Sequence, residues 1–185
     1  PQQYTEFENK LEQQGEISFK IRQIWAKEAF NHTAHYDANI ANYFNNLDNN
    51  EEQLPQQLNI SLRKSQSLRY GENPHQKAAV YGTQNEYIDC FHGKQLSYNN
   101  FTDVDAALNL IADFKNDKPT CAIFKHTVPC GVAIANSLNE AWDNAFSTDT
   151  MSPFGGIVVV NKELDMETAQ KIDEIFTEII IAPSY

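Results

Sequence analysis

The sequence predicts an α/β protein, a layered α/β/α domain preceded by a helical segment. Three observations carry that expectation. Over residues 1–47 apolar side chains recur at the spacing of helices. From residue 60 onward short β-rich runs alternate with amphipathic stretches, the order that builds a sheet between helical layers. The runs IVVV and III are almost continuously apolar, as in strands buried on both faces.

Taken in order, Thr5 and Glu8 have the spacing of a capping box, and Gly15 stands where a first helix would stop. Ser18 is placed to cap a second helix with Ile21, Ile24, Trp25, Ala29 and Phe30 on one stripe. Ile40, Tyr43, Phe44 and Leu47 repeat the period in a third stretch, and such a layer needs a surface to pack against. The composition then turns polar and aperiodic around Pro55, which gives three regions: helices over 1–50, a linker over 51–59 and the α/β portion over 60–185. Strands are expected in LNISLR, KAAVYG, IDCFHG, PTCAIFK, GVAIA, GGIVVVN and EIIIAP. Helices are expected from about Thr102 to Lys115, from the capping box Ser137 to Glu140 onward, and from about Met166 to Phe176.

The 185 residues carry 14 Lys+Arg and 25 Asp+Glu, a net charge of −11, with no basic cluster beyond Arg63 and Lys64. A broad phosphate-backbone footprint is therefore missing and a nucleic-acid partner is not expected, although small anionic ligands stay allowed. No run approaches the roughly 20 apolar residues needed to cross a bilayer, so no membrane partner is expected either. Cys90, Cys121 and Cys130 are odd in number and widely spaced, which argues against a disulfide framework and suits a reducing, cytoplasmic setting. They form no CxxC, and no HExxH is present, so a zinc site is not expected. The chain opens on Pro1 with neither a signal-like positive flank nor an apolar run, and reads as an internal piece of a longer protein.

Three segments combine polar, glycine and proline residues in ways a core does not require. LRYGENPHQ, Leu68 to Gln76, crowds Arg69, Tyr70, Glu72, Asn73 and His75 into a loop shaped by Gly71 and Pro74, and Arg69 offers a fork of donors to a phosphate or carboxylate. FKHTVPCG, Phe124 to Gly131, places a cation, Lys125, beside the one side chain that titrates near neutrality, His126, at the end of an apolar strand. Adjacent strand residues point to opposite faces, so both reach one ligand only if the strand breaks there, and Pro129 is the residue expected to break it. STDTMSPFGGIVVVN sets the aromatic Phe154 beside Gly155 and Gly156, whose backbone N–H groups would face a ligand. LSYNN, Leu96 to Asn100, adds two amides, one of which has the position of a helix cap.

In this order LRYGENPHQ, GKxLSYNN with the following D-x-DAAL, KHxxPCGVAI, FGGIV with ELD-x-ETAQ, and EIIIAPS resemble the bifunctional AICAR transformylase/IMP cyclohydrolase family. RQIWAKEAFNHTAHYDANIANYF is similar to the tail of that family's cyclohydrolase part. The resemblance implies that 1–50 is the cyclohydrolase tail and 60–185 a truncated transformylase domain of cytidine-deaminase-like architecture. It implies formyl transfer from the cosubstrate 10-formyltetrahydrofolate to the amine of AICAR, in IMP biosynthesis, by a homodimer without a catalytic metal. By the same resemblance His126 accepts the proton, Lys125 stabilises developing charge, and Arg69, Tyr70, Asn100, Phe154 and Gly155 meet the substrate. The two catalytic groups are expected to open onto one cavity alongside the Arg69 loop. Val128 and Pro153 depart from the family's usual Asn and Ala, and Pro153 removes one backbone donor. The folate-binding half and the cyclohydrolase's nucleotide-binding residues are expected to lie outside this piece, which alone would be inactive.

Two other readings follow from the sequence. A zinc-dependent nucleobase deaminase requires H-x-E and P-C-x-x-C, yet Val128 and Ala133 stand at two of the needed positions. A non-catalytic dimerisation scaffold would use the helices and an exposed strand edge to bind a second copy.

Overall fold

A computed structural model describes residues 2–47, 55–83 and 86–185. Backbone packing divides the chain into two units, Pro1–Lys64 and Ser65–Tyr185.

The first unit is a helical hairpin. Helix α1 (Gln2–Gln14) ends where Gly15 adopts φ +70°, with Gly15 N donating to Leu11 O, and α2 (Phe19–Leu47) starts after Ser18, whose carbonyl takes the first helical bonds. The Thr5–Glu8 pattern lies inside α1 and caps nothing. The second and third expected stretches are one 29-residue helix, since no glycine or proline interrupts Phe19 to Leu47. Phe7 meets Trp25 across the hairpin with ring centroids 6.1 Å apart. Asn42 Nδ2 donates to Asn59 O, and His35 Nδ1 and Ser61 Oγ lie 2.9 Å apart, so residues 59–61 run back along α2. No residue of α2 is buried, and Phe30, Tyr43 and Phe44 are exposed.

Residues 51–54 of the expected linker lie outside the described residues. Residues 58–63 form no strand despite their alternation. The neighbouring ladder pairs β1 (Lys64–Ser67) with β2 (Ala79–Tyr81), leaving Leu58, Ile60 and Leu62 exposed with no strand beside them among the described residues. IDCFHG likewise has no edge to join and stays irregular.

The second unit centres on a four-stranded sheet of order β4-β3-β5-β6, made of β3 (Thr120–Lys125), β4 (Val128–Ile134), β5 (Gly156–Val160) and β6 (Thr177–Ile181). β3 runs antiparallel to both β4 and β5, and β5 is parallel to β6. Helix α3 (Tyr98–Asp113) covers one face, while α4 (Leu138–Thr148) and α5 (Met166–Asp173) cover the other. The period-2 alternation divides the strands' side chains between the faces. Ala122, Phe124, Ile157 and Val159 pack with Val104, Ala107 and Ile111 of α3; Cys121, Ile123, Val158 and Val160 pack with Ala141, Trp142, Ala145 and Ile172. Every residue of β5 is buried, as its apolar run predicts. The layered α/β/α expectation is met by this sheet.

Each of α3, α4 and α5 begins on a side-chain cap. Ser97 accepts from Asn100 N, Ser137 from Glu140 N and Asp165 from Thr168 N. At one end of the sheet Asn161 ties loop to strand, taking Thr120 N at 2.7 Å and donating to Phe114 O at 2.7 Å. The polar segments gather at the other end.

Candidate functional site

The end of β3 is set by the backbone of two residues. Lys125 pairs with Val128, and between them His126 and Thr127 take left-handed conformations with φ 51° and 64°. This two-residue hairpin is the kind whose twist suits flanking strands, but it normally uses glycine, asparagine or aspartate. For an L-residue with a full side chain the left-handed basin costs about 1–2 kcal/mol, and β-branched Thr127 is among the least suited. The strand therefore breaks between Lys125 and Val128. Pro129, assigned that part from the sequence, instead lies within β4 opposite Phe124, beside a register shift on an edge strand where its missing N–H is tolerated.

Thr127 N, which the hairpin ladder leaves unpaired, donates to Asp103 Oδ1 on α3 at 2.7 Å, while Thr127 Oγ1 donates to His126 O at 2.6 Å. His126 is exposed at the tip of the turn. Lys125 is half-buried, and its Nζ donates to Phe154 O at 2.7 Å and to Gly155 O at 3.0 Å. The two neighbours are held differently: the ammonium is anchored to a loop, and the imidazole belongs to an exposed turn.

Gly155 has φ +67°, and a Cβ there would stand 3.1 Å from Lys125 Nζ. Its N–H donates to Phe176 O at 2.6 Å, and Gly156 N donates to Pro153 O at 2.9 Å. The N–H groups expected to face a ligand are therefore occupied, and it is the carbonyls of Phe154 and Gly155 that meet Lys125 Nζ. The Phe154 ring is exposed and lies 5.6 Å from that of Phe176. Asp149, at the end of α4, receives Ser152 N and Met151 N at 2.9 Å each and the Ser152 hydroxyl, which hold its carboxyl below the usual carboxylate range.

Arg69 and Tyr70 occupy a separate loop stitched to the start of α3: Arg69 N donates to Leu96 O and Tyr98 N donates to Tyr70 O. The guanidinium carbon lies 4.9 Å from the centroid of the Tyr70 ring, and Nη2 donates to the Tyr70 hydroxyl at 3.3 Å. From Tyr98 to Asp103 is roughly 7.5 Å along α3 at about 1.5 Å per residue, so the first turns of this helix connect the Arg69 loop to the His126 turn. Asn100 is buried, and its Oδ1 accepts from Ser97 N at 2.9 Å and Ser97 Oγ at 3.0 Å, completing a capping box. Asn100 is thus the residue of LSYNN that serves the helix cap.

Two cavities among the described residues lie elsewhere. One of about 300 Å³ is lined by Gln3, Glu6, Ile21, Ile24, Trp25 and Glu28 between α1 and α2. The other, of about 150 Å³, is lined by Trp142, Asp143, Phe146, Lys171, Glu174 and Ile175. Neither is the shared cavity expected for Lys125, His126 and the Arg69 loop.

Asp103, Thr127 and Phe176 escaped the sequence reading as individual residues. Asp103 opens the D-x-DAAL motif, which is the only sequence signal that marks it. Burial pushes the Cys121 thiol up to about 12, and burial with the Asp149 charge raises Cys130; Cys90 is exposed. Among the described residues no three His, Cys, Asp or Glu side chains gather to hold a metal, and no helix is long and apolar enough to cross a membrane.

These features define a layered α/β protein with a cation, an imidazole and an exposed aromatic ring at one end of its sheet. The chain belongs to the AICARFT/IMPCHase bienzyme family, whose profile matches residues 1–185. It is 51% identical over 172 residues to the bifunctional purine biosynthesis protein PurH of Chloroflexus aurantiacus, covering 92% of this chain and 33% of that protein. It is 43% identical over 192 residues to PurH of Persephonella marina, covering 100% of this chain and 37% of that one. With PurH of Lactococcus lactis subsp. cremoris the figures are 46% over 191 residues, 100% and 36%. The chain spans about a third of the length of these curated relatives.

Proposed function

We propose that this chain is part of a cytoplasmic, homodimeric purine-biosynthesis enzyme that transfers the formyl group of 10-formyltetrahydrofolate to the amine of AICAR, on a cytidine-deaminase-like domain that begins near residue 60. In this reading residues 1–50 belong to the tail of a cyclohydrolase part, and the cyclohydrolase and folate sites are completed by residues outside the segment. Family membership and the PurH relatives support it. The observation that carries it is the β3–β4 turn, with Lys125 Nζ held on two carbonyls and His126 beside it at the exposed tip.

The chemistry needs what this end of the sheet has to offer. The amine of AICAR is conjugated with an imidazole ring, so its lone pair is delocalised and attack gains from proton removal, alignment and a nearby positive charge. The folate cosubstrate supplies the formyl carbon. His126 takes the proton that the amine sheds as the new C–N bond to the formyl carbon forms, and a proton goes to N10 of the folate as its bond to that carbon breaks and tetrahydrofolate leaves. Lys125, fixed by Phe154 O and Gly155 O, keeps its charge at a defined place where negative charge develops. Phe154 offers an exposed ring for the flat purine precursor to lie against, and the Arg69 guanidinium, stacked on Tyr70, suits its phosphate. The amide nitrogen of Asn100 is its remaining group for substrate, since its oxygen serves the cap. This chemistry calls for no metal.

The test is a formyl-transfer assay on the intact bifunctional chain with Lys125→Gln or His126→Ala. Each variant is expected to lose at least about 100-fold in kcat while keeping its AICAR affinity and its dimer. Variants that turn over normally would refute the reading, and the isolated 185-residue segment is expected to show no turnover.

A further inference from the structure

We propose that Asp103 is a positioning residue for the transfer step, acting through the backbone of the turn that carries His126. The inference rests on the formyl-transfer reading for its kinetic consequence, and on geometry alone for its structural one.

His126 and Thr127 both occupy left-handed backbone that their side chains disfavour, and neither is a residue that hairpin turns select for that basin. Such a conformation persists only where the surroundings over-determine it. The hairpin pairs Lys125 with Val128 and does not use Thr127 N. The one side chain that takes this N–H among the described residues is the Asp103 carboxylate, at 2.7 Å. A charged acceptor gives a shorter and stronger bond than a neutral one. It comes from a rigid element, because α3 is pinned at its start by the Ser97–Asn100 box and along its length by Val104, Ala107 and Ile111 against the sheet. Asp103 immediately precedes Val104, so the same packing that buries the helix sets where its carboxylate stands.

His126 is exposed at the tip of the turn, so its ring is carried by that turn. Its position is therefore set by the backbone beneath it. If Asp103 lets go, the turn is free to relax toward backbone angles that His and Thr prefer, and the ring moves with it. A shift of about 1 Å in a reacting group is enough to cost about 100-fold in rate.

The experiment uses the intact bifunctional chain with Asp103→Ala, Asp103→Asn and Asp103→Ala combined with Thr127→Gly. Asp103→Ala is expected to lower kcat of formyl transfer by up to about 100-fold, with KM for AICAR nearly constant and the cyclohydrolase activity of the same chain unchanged. Asp103→Asn keeps an acceptor oxygen and should recover most of the loss. Thr127→Gly should recover part of it, because glycine adopts the left-handed turn without an anchor. In amide NMR the strongly bonded Thr127 N–H should move upfield in Asp103→Ala, with the His126 ring resonances shifting or multiplying. An unchanged kcat, or a loss that Asp103→Asn fails to rescue, overturns the kinetic role. Failure of the wild-type chain to transfer formyl groups would sink the functional reading alone, since the NMR comparison still decides whether Asp103 holds the turn; unaltered Thr127 and His126 signals would sink that as well.

Discussion

Lys125 Nζ donates to the carbonyl oxygen of Phe154 at 2.7 Å, joining the end of β3 to a loop 29 residues away in sequence. A cation at a strand end would ordinarily range through many rotamers in water. Here the second bond, to Gly155 O, fixes it at the edge of the layer, and Phe176 O holds Gly155 N from the other side. The ammonium is placed by the backbone of the FGG segment.

Gly155→Ala tests that placement. The new Cβ would come 3.1 Å from Lys125 Nζ at a φ of +67°, and the backbone strain alone costs about 1–2 kcal/mol. A thermal-unfolding comparison should show the loss. The same variant of the intact chain should lose formyl transfer, because Lys125 must move aside.

Gly131→Ala should destabilise the fold without touching the turn. A Cβ at Gly131 would stand 2.1 Å from Ala145 O, where β4 presses against α4, and helix backbone cannot yield as a flexible side chain can. Overpacking of this kind costs about 1–3 kcal/mol, sometimes more. Denaturant unfolding measures it, and wild-type stability would show that β4 and α4 are further apart than described.

The helix that carries Asp103 depends on its cap. Ser97→Ala removes the acceptor of Asn100 N and leaves Asn100 Oδ1 without one of its donors, for an expected loss of about 0.5–2 kcal/mol. Hydrogen exchange should quicken first over the opening turn of α3.

Asp149 predicts the behaviour in acid. Its hydrogen bonds from Ser152 and Met151 favour the ionised form, so its folded pKa lies below its ordinary value of 3.8. A group with a depressed folded pKa adds stability above its unfolded pKa and loses that contribution as pH falls through the folded value. NMR titration should place the Asp149 midpoint below 3.8, and Ser152→Ala should move it up toward that value.

The thiols should react in order of access. Cys90 is exposed, Cys130 half-buried with a raised pKa, and Cys121 buried with its pKa pushed up to about 12. Since the thiolate is the nucleophile, alkylation at neutral pH should label Cys90 first, Cys130 slowly, and Cys121 only on unfolding. Raising the pH above 9.0 should lower stability through Cys121, because only the unfolded thiol ionises readily there.

Much of the fold was legible because its signals are local. The apolar runs at Ile157–Val160 and Cys121–Phe124 are buried on both faces, and Ser137, Asp165 and Gly15 mark helix ends as their chemistry dictates. The misreadings arose where partners decide. Leu58, Ile60 and Leu62 alternate like a strand but have no edge beside them, and the two expected helices of α2 are joined because no breaker separates them. At the site, Lys125, His126 and Phe154 were visible as unusual residue types. The left-handed turn was not, since β-branched Thr127 is among the residues least suited to positive φ, and the bond from Thr127 to Asp103 spans 24 residues.

The most direct test of the account is single-turnover formyl transfer by the intact chain with His126→Ala and with Lys125→Gln, measured alongside AICAR binding. Rates reduced by at least about 100-fold with binding preserved are the predicted result. Rates matching the unaltered enzyme in either variant would contradict the claim that this strand-end pair performs the chemistry.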